Sequence, residues 1–322
     1  MRERKLDRPE QQKSGALRFA SSALRLFRPG LPGKARSARL ILRSFLQAQD
    51  VTVNDGAGFK YVVPSLHEPV AFHLLTDGAY EPETLRFVLS RLGPGSTFVD
   101  VGANIGALTI PAARKMGAAG TVVAIEASPR IFPYLAHNVA INGISNVRLW
   151  CCAANDIASP GLPFYEAPAD HFGMGSLGAQ FHSEPSVVPG ETLDRILAEE
   201  NVTAVTVLKV DVEGFESAVL RGAANLLNSP HAPIVIFEFC DWAEARVANA
   251  KVGEAQRLLR EYGYTLWLLH DFDRRRSRPL ERDLTVGSAM LVAEKFSVRN
   301  GRSSARTDRD VSSTPRKKGL VV

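Results

Sequence analysis

The strongest constraint on the fold is an alternation, from about residue 95 onward, of short apolar runs with segments of helical pattern. STFVDV, TVVAI, VTVLKVDV and IVIFEF are β-branched or apolar runs of strand length. Strands buried on both faces have this composition, and intervening helices supply the crossovers that parallel strands need. The sequence therefore predicts an α/β fold with a mostly parallel sheet and helices on both faces.

The predicted elements divide the chain into four parts. Two apolar runs around Asn54-Asp55-Gly56 predict a β-hairpin, and a helix over 82–92 completes a small N-terminal cap at 48–95. A single α/β domain follows at 96–295, in which the Gly- and Pro-rich region 156–190 has no regular period. The predicted strands are 96–101, 121–125, 147–154, 205–212, 234–239, 265–270 and 289–293, with helices over 108–116, 129–142, 191–200, 216–227 and 251–262.

Charge is concentrated at the two ends. Residues 1–47 contain 12 Lys or Arg against 3 Asp or Glu, and residues 296–322 contain 7 against 2. The middle, 48–295, contains 20 against 29 and is acidic, so we expect no nucleic-acid partner. We expect the basic tail to be disordered. The basic extension at 1–47 is predicted to be partly helical or disordered, and it could make a weak contact with an anionic membrane surface.

The few cysteines indicate the compartment. Cys151, Cys152 and Cys240 form no Cys-x-x-Cys pair, so neither a disulfide framework nor a cysteine zinc site is expected. The chain shows no secretory signal pattern and no apolar run of spanning length. We therefore expect a cytoplasmic protein, and no His/Asp/Glu spacing predicts a required metal.

A glycine turn follows the first strand of the alternation. In FVDVGANIG, Asp100 stands near the strand end, and Gly102 and Gly106 flank the turn. Asn104 occupies the second glycine position of G-x-G-x-x-G, and no P-loop is present, so neither phosphate-binding motif fits. An acid beside the turn disfavours pyrophosphate and favours a cationic ligand at the carboxyl edge of the sheet.

Glu126 ends the second strand, about 20 residues past the turn, where an acid commonly binds both ribose hydroxyls. A ribose-bearing, phosphate-free, cationic ligand matches S-adenosylmethionine. The alternative is that Asp100 and Glu126 only satisfy polar groups at strand ends.

The chain resembles the FkbM family of class I S-adenosylmethionine-dependent methyltransferases. The matching segments are YEPET, FVDVGANIG, AIEASP, ETLDRIL, LKVDVEGFE and IVIFEF, in family order over about residues 78–240. The resemblance implies a Rossmann-like seven-stranded sheet and methyl transfer to oxygen, often a hydroxyl of a sugar, lipid or specialised metabolite. The residues that the resemblance assigns to the cofactor are Asp100, Gly102, Asn104 and Gly106 at its methionine end, Glu126 at the ribose, Asn155 or Asp156 near adenine, and Glu81 as a neighbour.

The fourth strand carries the candidate base. Asp211 and Glu213, in LKVDVEGFE, and Glu238, at the end of the fifth strand, stand where an acceptor hydroxyl would lose its proton. We rank Asp211 first, and Lys209 could neutralise these acids. The expected partner is a small-molecule or glycan acceptor, and the sequence indicates no oligomeric state. Transfer to a nitrogen, or a silent S-adenosylmethionine-binding module, remains an alternative.

Overall fold

The structure is a computed structural model that describes residues 22–25, 34–41, 49–168, 171–181, 184–247, 251–273 and 278–295. Its elements, in chain order, are α1 (Lys34–Ile41), β1 (Gln49–Asn54), β2 (Lys60–Ser65), α2 (Pro69–Thr76), α3 (Pro82–Arg91), β3 (Thr97–Val101), α4 (Thr109–Met116), β4 (Thr121–Ile125), α5 (Phe132–Ile141), β5 (Val147–Trp150), β6 (Ala153–Ala154), β7 (Ser159–Phe164), β8 (Ser186–Glu191), α6 (Leu193–Glu199), β9 (Val207–Val210), α7 (Glu216–Arg221), α8 (Ala224–Asn228), β10 (Ile234–Cys240), α9 (Asp241–Glu244), α10 (Glu254–Glu261), β11 (Thr265–Leu268), α11 (Leu269–Asp273) and β12 (Ser288–Glu294).

One sheet of seven strands organises the α/β part, in the order β11-β12-β10-β9-β3-β4-β5. The five strands from β10 to β5 pair in parallel, whereas β12 is antiparallel to both β10 and β11. The predicted seven-stranded, mostly parallel sheet is therefore confirmed. Because the central strands are parallel, the residues that follow β3, β4, β9 and β10 meet at one edge.

Each face of the sheet buries its own hydrophobic core. Alternate strand residues such as Phe98 and Val122 pack with the hairpin, α2, α4 and α5 on one face. Their neighbours Val99 and Val123 pack with α6, α7, α8 and α10 on the other face. Continuously apolar strands are the direct consequence of this double cover.

The predicted hairpin is present as β1 and β2, and it packs on the same side as α5. Its register pairs Val51 with Val63 and Asn54 with Lys60. Buried Asn138 of α5 holds it: Oδ1 accepts from the Val62 N–H at 2.7 Å, and Nδ2 donates to the Val62 and Ile105 carbonyls at 3.1 and 3.0 Å. One amide therefore ties the hairpin to the glycine turn, of which Ile105 is part.

Region 156–190 differs from the sequence prediction. Within its described residues, β7 and β8 pair antiparallel and form a three-stranded sheet with β6. Gly190 is required here because the chains approach closely: a Cβ at this position would lie 2.5 Å from the Leu162 side chain. The prediction of no regular structure was therefore wrong.

Several predicted elements are shorter in the structure than expected, and three of them differ as follows. The strand predicted at 147–154 splits because β5 ends at Trp150 and β6 turns away to pair with β8. The helix predicted at 216–227 breaks at Gly222, where a Cβ would lie 2.1 Å from the Asn155 carbonyl oxygen. The helix predicted from residue 129 begins at Phe132, after a turn in which the Ser128 hydroxyl accepts from the Arg130 and Ile131 N–H groups.

The described parts of the N-terminal extension contact the cap. Arg25 donates to the carbonyls of Asp55, Leu74, Leu75 and Asn54. Lys34 pairs with Asp77 at 2.5 Å. The rest of 1–47 and the tail 296–322 lie outside the described residues, as does the prediction of their disorder. No helix among the described residues is long and apolar enough to cross a membrane.

We predict that Asn138→Ala lowers the free energy of unfolding by about 2–4 kcal/mol, because it leaves a buried N–H and two buried carbonyls without partners. Asn142→Ala is the matched control. Asn142, one turn later, makes the same amide pair with Lys60 at the exposed end of the hairpin, where water can replace it. Urea denaturation should show a loss below about 1 kcal/mol for the control. Equal losses would contradict this account of the hairpin.

Candidate active site

A cavity of about 250 Å³ lies at the carboxyl edge of β3, β4, β9 and β10. The cap lines one side of it, and residues 173–177 line another. A larger but more open hollow of about 450 Å³ lies beside β5, around Cys151 and Cys152, and none of the predicted site residues lines it. The enclosed cavity therefore brings together seven of the predicted site residues: Glu81, Gly102, Asn104, Glu126, Asp211, Glu213 and Glu238.

The glycine turn forms one wall of the cavity. Gly102 has φ +76°, and a Cβ there would lie 1.9 Å from the Asp211 carbonyl oxygen. The resemblance assigns Gly102 to the methionine end of the cofactor, and the structure adds a reason for a glycine here: the neighbouring chain after β9 leaves no room for a side chain. Asn104, at φ +51°, also lines the cavity. Gly106 does not: a Cβ there would meet Leu135 and Ile110 behind the turn.

Asp100 lies beneath the cavity rather than in its wall. Its side chain is fully buried, and Oδ2 accepts from the Thr109 hydroxyl at 2.6 Å. Its Oδ1 lies 3.6 Å from Lys209 Nζ. Burial raises the pKa of Asp100, and Lys209 opposes that shift. The expectation that Asp100 lines the methionine end therefore differs from its place in the structure, because its strand position turns it toward α4 and Lys209.

Lys209 joins the turn to the fourth strand. Its buried Nζ donates to the carbonyls of Gly102 at 2.9 Å and Val101 at 3.3 Å, and lies 3.3 Å from Asp211 Oδ2. Although burial disfavours the charged form, Asp211 and Asp100 raise the pKa of Lys209 above its usual value. The pairing that the sequence suggested for Lys209 is thus present, and it also holds the glycine turn.

Glu126, which follows β4, lies beside the glycine turn. Its Oε2 accepts from the Asn104 N–H and its Oε1 from the Ser128 N–H, both at 2.8 Å. Burial raises its pKa to about 7. Each oxygen has a further lone pair, so the carboxylate can accept two more hydrogen bonds from a ligand in the cavity.

Three carboxylates meet at the end of β9 and β10. One oxygen each from Asp211, Glu213 and Glu238 can be chosen so that all lie within 4.8 Å of one another. Burial, followed by the charge of Asp211, raises the pKa of Glu213 to about 8 and that of Glu238 to about 9. Carboxylates at this spacing could also hold a divalent cation, so the expectation of no metal stays a prediction.

The cap supplies residues that the sequence analysis missed. Glu68 and Tyr80 line the cavity beside Glu81, which was predicted. Glu68 caps α2 by accepting from the Ala71 N–H at 3.0 Å, and burial raises its pKa to about 7. Glu-Pro before an apolar run predicts a helix start, but no local pattern shows that this start reaches the sheet edge.

Asn155 and Asp156 do not line the cavity. The Asn155 N–H donates to the Glu191 carbonyl at 2.8 Å, and the Asp156 carboxylate lies 3.5 Å from Arg221 Nε of α7. The break after β5 contributes to the difference, because it lets β6 pair with β8, and the chain leaves the cavity edge only after Ala154. Ala153 and Ala154 line the cavity in their place.

Comparison with known proteins gives a family match. The family described as "Methyltransferase FkbM domain" matches residues 100–266. "Methyltransferase 1" of the fungus Beauveria bassiana is 29% identical over 180 residues, which cover 48% of this chain and 69% of that protein.

Among solved structures, precorrin-6y C5,15-methyltransferase of Geobacter metallireducens is similar at 11% identity and a TM-score of 0.40, over 68% of this chain and 93% of that chain. A SAM-dependent O-methyltransferase of Thermotoga maritima is similar at 17% identity and a TM-score of 0.37, over 81% and 83%.

We predict that Glu238→Gln flattens the pH dependence of stability. A folded-state pKa raised to about 9 means that Glu238 stabilises the fold below its unfolded pKa near 4.5, and that this stability is lost as pH rises through about 9. The free energy of unfolding, measured by urea denaturation in EDTA, falls between pH 5 and pH 9. This fall should be smaller in Glu238→Gln than in the wild type by about 1 kcal/mol or more. Glu199→Gln, on the exposed helix α6, is the control, and an unchanged loss in Glu238→Gln would contradict the assigned burial of this acid.

Proposed function

The chain belongs to the FkbM methyltransferase domain family, and from this premise we propose that it transfers the methyl group of S-adenosylmethionine to a hydroxyl of a carbohydrate, lipid or specialised metabolite. One observation carries the proposal: the glycine turn, the Glu126 carboxylate and the three-carboxylate cluster all line a single enclosed cavity. One ligand can therefore reach both the binding end of the cavity, at Glu126, and its reaction end, at the three carboxylates.

The residues of the cavity suit S-adenosylmethionine. Glu126 offers free lone pairs for the two ribose hydroxyls. Gly102 and Asn104 present backbone to the middle of the cavity, and Glu81 offers a buried oxygen, Oε2, that has no hydrogen-bond partner. The apolar side chains suited to adenine at the other end are Ile131, Ala153, Ala154 and Phe164. Asp100 acts from beneath, through Lys209.

Asp211 is the proposed base. When bound, S-adenosylmethionine supplies a methyl group on a positively charged sulfur, a leaving group that needs no proton. The acceptor hydroxyl does need to lose one, and a placed base contributes about 10²–10⁴ in rate. Of the three clustered acids, Asp211 is the one that forms an ion pair with buried Lys209, at 3.3 Å. Glu213 and Glu238, with pKa values of about 8 and 9, stay mostly protonated near neutral pH and can donate hydrogen bonds.

An amine acceptor is the second candidate. Six carboxylates line the cavity, from Glu68, Glu81, Glu126, Asp211, Glu213 and Glu238, and Lys209 is the single Lys or Arg among its lining residues. An acceptor with a positive charge would suit this surplus of acids. Amine methylation needs less help from a base, so the effect of removing Asp211 distinguishes the two candidates.

We predict that Glu126→Ala raises the Kd for S-adenosylmethionine at least tenfold, because two ribose hydroxyls lose their acceptor and the Asn104 and Ser128 N–H groups lose theirs. Asp156→Ala should leave the Kd within about twofold, since Asp156 does not line the cavity. Titration calorimetry of both variants measures this. Wild-type affinity in Glu126→Ala would contradict the proposed binding site. A large loss of affinity in Asp156→Ala would show that Asp156 belongs to the site.

We predict that Asp211→Asn lowers kcat by about 10²–10⁴ if the acceptor is a hydroxyl. Glu238→Gln should lose far less, because an amide keeps the donor of a protonated carboxyl. The assay is transfer of labelled methyl from S-adenosylmethionine to an extract of cells that lack the protein, with mass spectrometry for one added CH₂. A loss in Glu238→Gln as large as in Asp211→Asn would overturn the choice of base, and a small loss in Asp211→Asn would favour the amine.

A further inference from the structure

The peptide unit between Glu213 and Gly214 has an unusual conformation at the reaction end of the cavity. Glu213 lies in the left-handed region at φ +55°, and Gly214 has φ +101°. A side chain other than glycine, asparagine or aspartate rarely adopts this region, and such residues persist only where their surroundings hold them. The contacts of this peptide unit therefore determine the position from which the Glu213 side chain extends.

Glu216 holds the N–H side of the turn at residues 212–214. Its buried Oε1 accepts from the Val212 N–H at 3.0 Å and from the Gly214 N–H at 3.3 Å. A Cβ at Gly214 would lie 2.7 Å from the Ala243 carbonyl group, so the chain is confined on this side. Glu216 thus supports the turn rather than facing the cavity.

Two side chains from the loop 171–181 hold the carbonyl side. Ser176 Oγ donates to the Glu213 carbonyl at 3.0 Å, and Gln180 Nε2 donates to the same oxygen at 2.8 Å. Ser176 is itself anchored, because its backbone N–H and carbonyl pair with Tyr165 at 3.1 and 2.8 Å. Two donors from one anchored loop therefore converge on a single carbonyl.

The Glu213 carboxylate depends on this support. Across the described residues, no hydrogen bond or ion pair of the structure involves its side-chain oxygens, although one of them lies within 4.8 Å of oxygens of Asp211 and Glu238. Its position is consequently set by the backbone from which it extends.

We propose that Ser176 and Gln180 are positioning residues for methyl transfer: they fix the Glu213–Gly214 peptide and, through it, place the Glu213 carboxyl beside Asp211. The expected effect on rate rests on the proposed function. The fixed conformation of the peptide does not, because it follows from the two hydrogen bonds alone. The loop that covers the cavity would then also complete its reaction end.

The direct test is amide hydrogen exchange at Gly214 in the double variant Ser176→Ala/Gln180→Met. The Gly214 N–H belongs to the pinned peptide, so its exchange should become at least tenfold faster, while amides of β9 keep their wild-type rates and report that the fold is intact. Ser186→Ala is the matched control, because Ser186 donates to the Phe164 carbonyl at 3.2 Å in the neighbouring sheet and does not touch the turn. Unchanged exchange at Gly214 in the double variant would overturn the proposal.

The second test is a cycle of variants in the methyl-transfer assay. The double variant should lower kcat at least tenfold while the Kd for S-adenosylmethionine changes by less than about threefold. In a Glu213→Ala background the same two substitutions should cost nothing more, because the group they position is absent. Losses that multiply would contradict the inference. A wild-type protein that neither transfers methyl nor binds S-adenosylmethionine would instead refute the proposed function. The exchange test would still decide whether Ser176 and Gln180 fix the Glu213–Gly214 peptide.

Discussion

The site depends on one buried cation. Lys209, 2% exposed, lies between Asp100 and Asp211 and donates to the backbone of the glycine turn. A buried charge is costly unless it is paired and hydrogen-bonded, and removing one partner leaves the others uncompensated. Because β3 and β9 are adjacent, a single side chain holds the glycine turn and the candidate base in register. The geometry of the cavity follows from this contact.

The same lysine divides the acids of the cavity into two kinds. Asp211 is paired with it, whereas burial and the charge of Asp211 raise the pKa of Glu213 and Glu238 to about 8 and 9. Near neutral pH Glu213 and Glu238 are therefore mostly protonated, beside the carboxylate that Lys209 pairs with. A base and hydrogen-bond donors in one small volume suit the removal of a proton from an acceptor and the orientation of that acceptor.

Sequence reasoning reached the features that follow from strand order and failed where contacts are long-range. Glu126 and Asp211 end parallel strands, so their meeting at one edge follows from the alternation of elements. The inward turn of Asp100 depends on packing against α4, and the displacement of Asp156 depends on the break after β5; neither leaves a local pattern. The contribution of Glu68 from the cap is likewise visible only once the chain is folded.

The most direct measurement is a crystal structure of the protein grown with S-adenosylhomocysteine, the demethylated product. The account predicts that the ribose hydroxyls lie within hydrogen-bond distance of the Glu126 carboxylate and that the sulfur faces Asp211. An adenosine group bound elsewhere, for example beside Asp156, or a cavity that excludes the compound at saturating concentration, would contradict it.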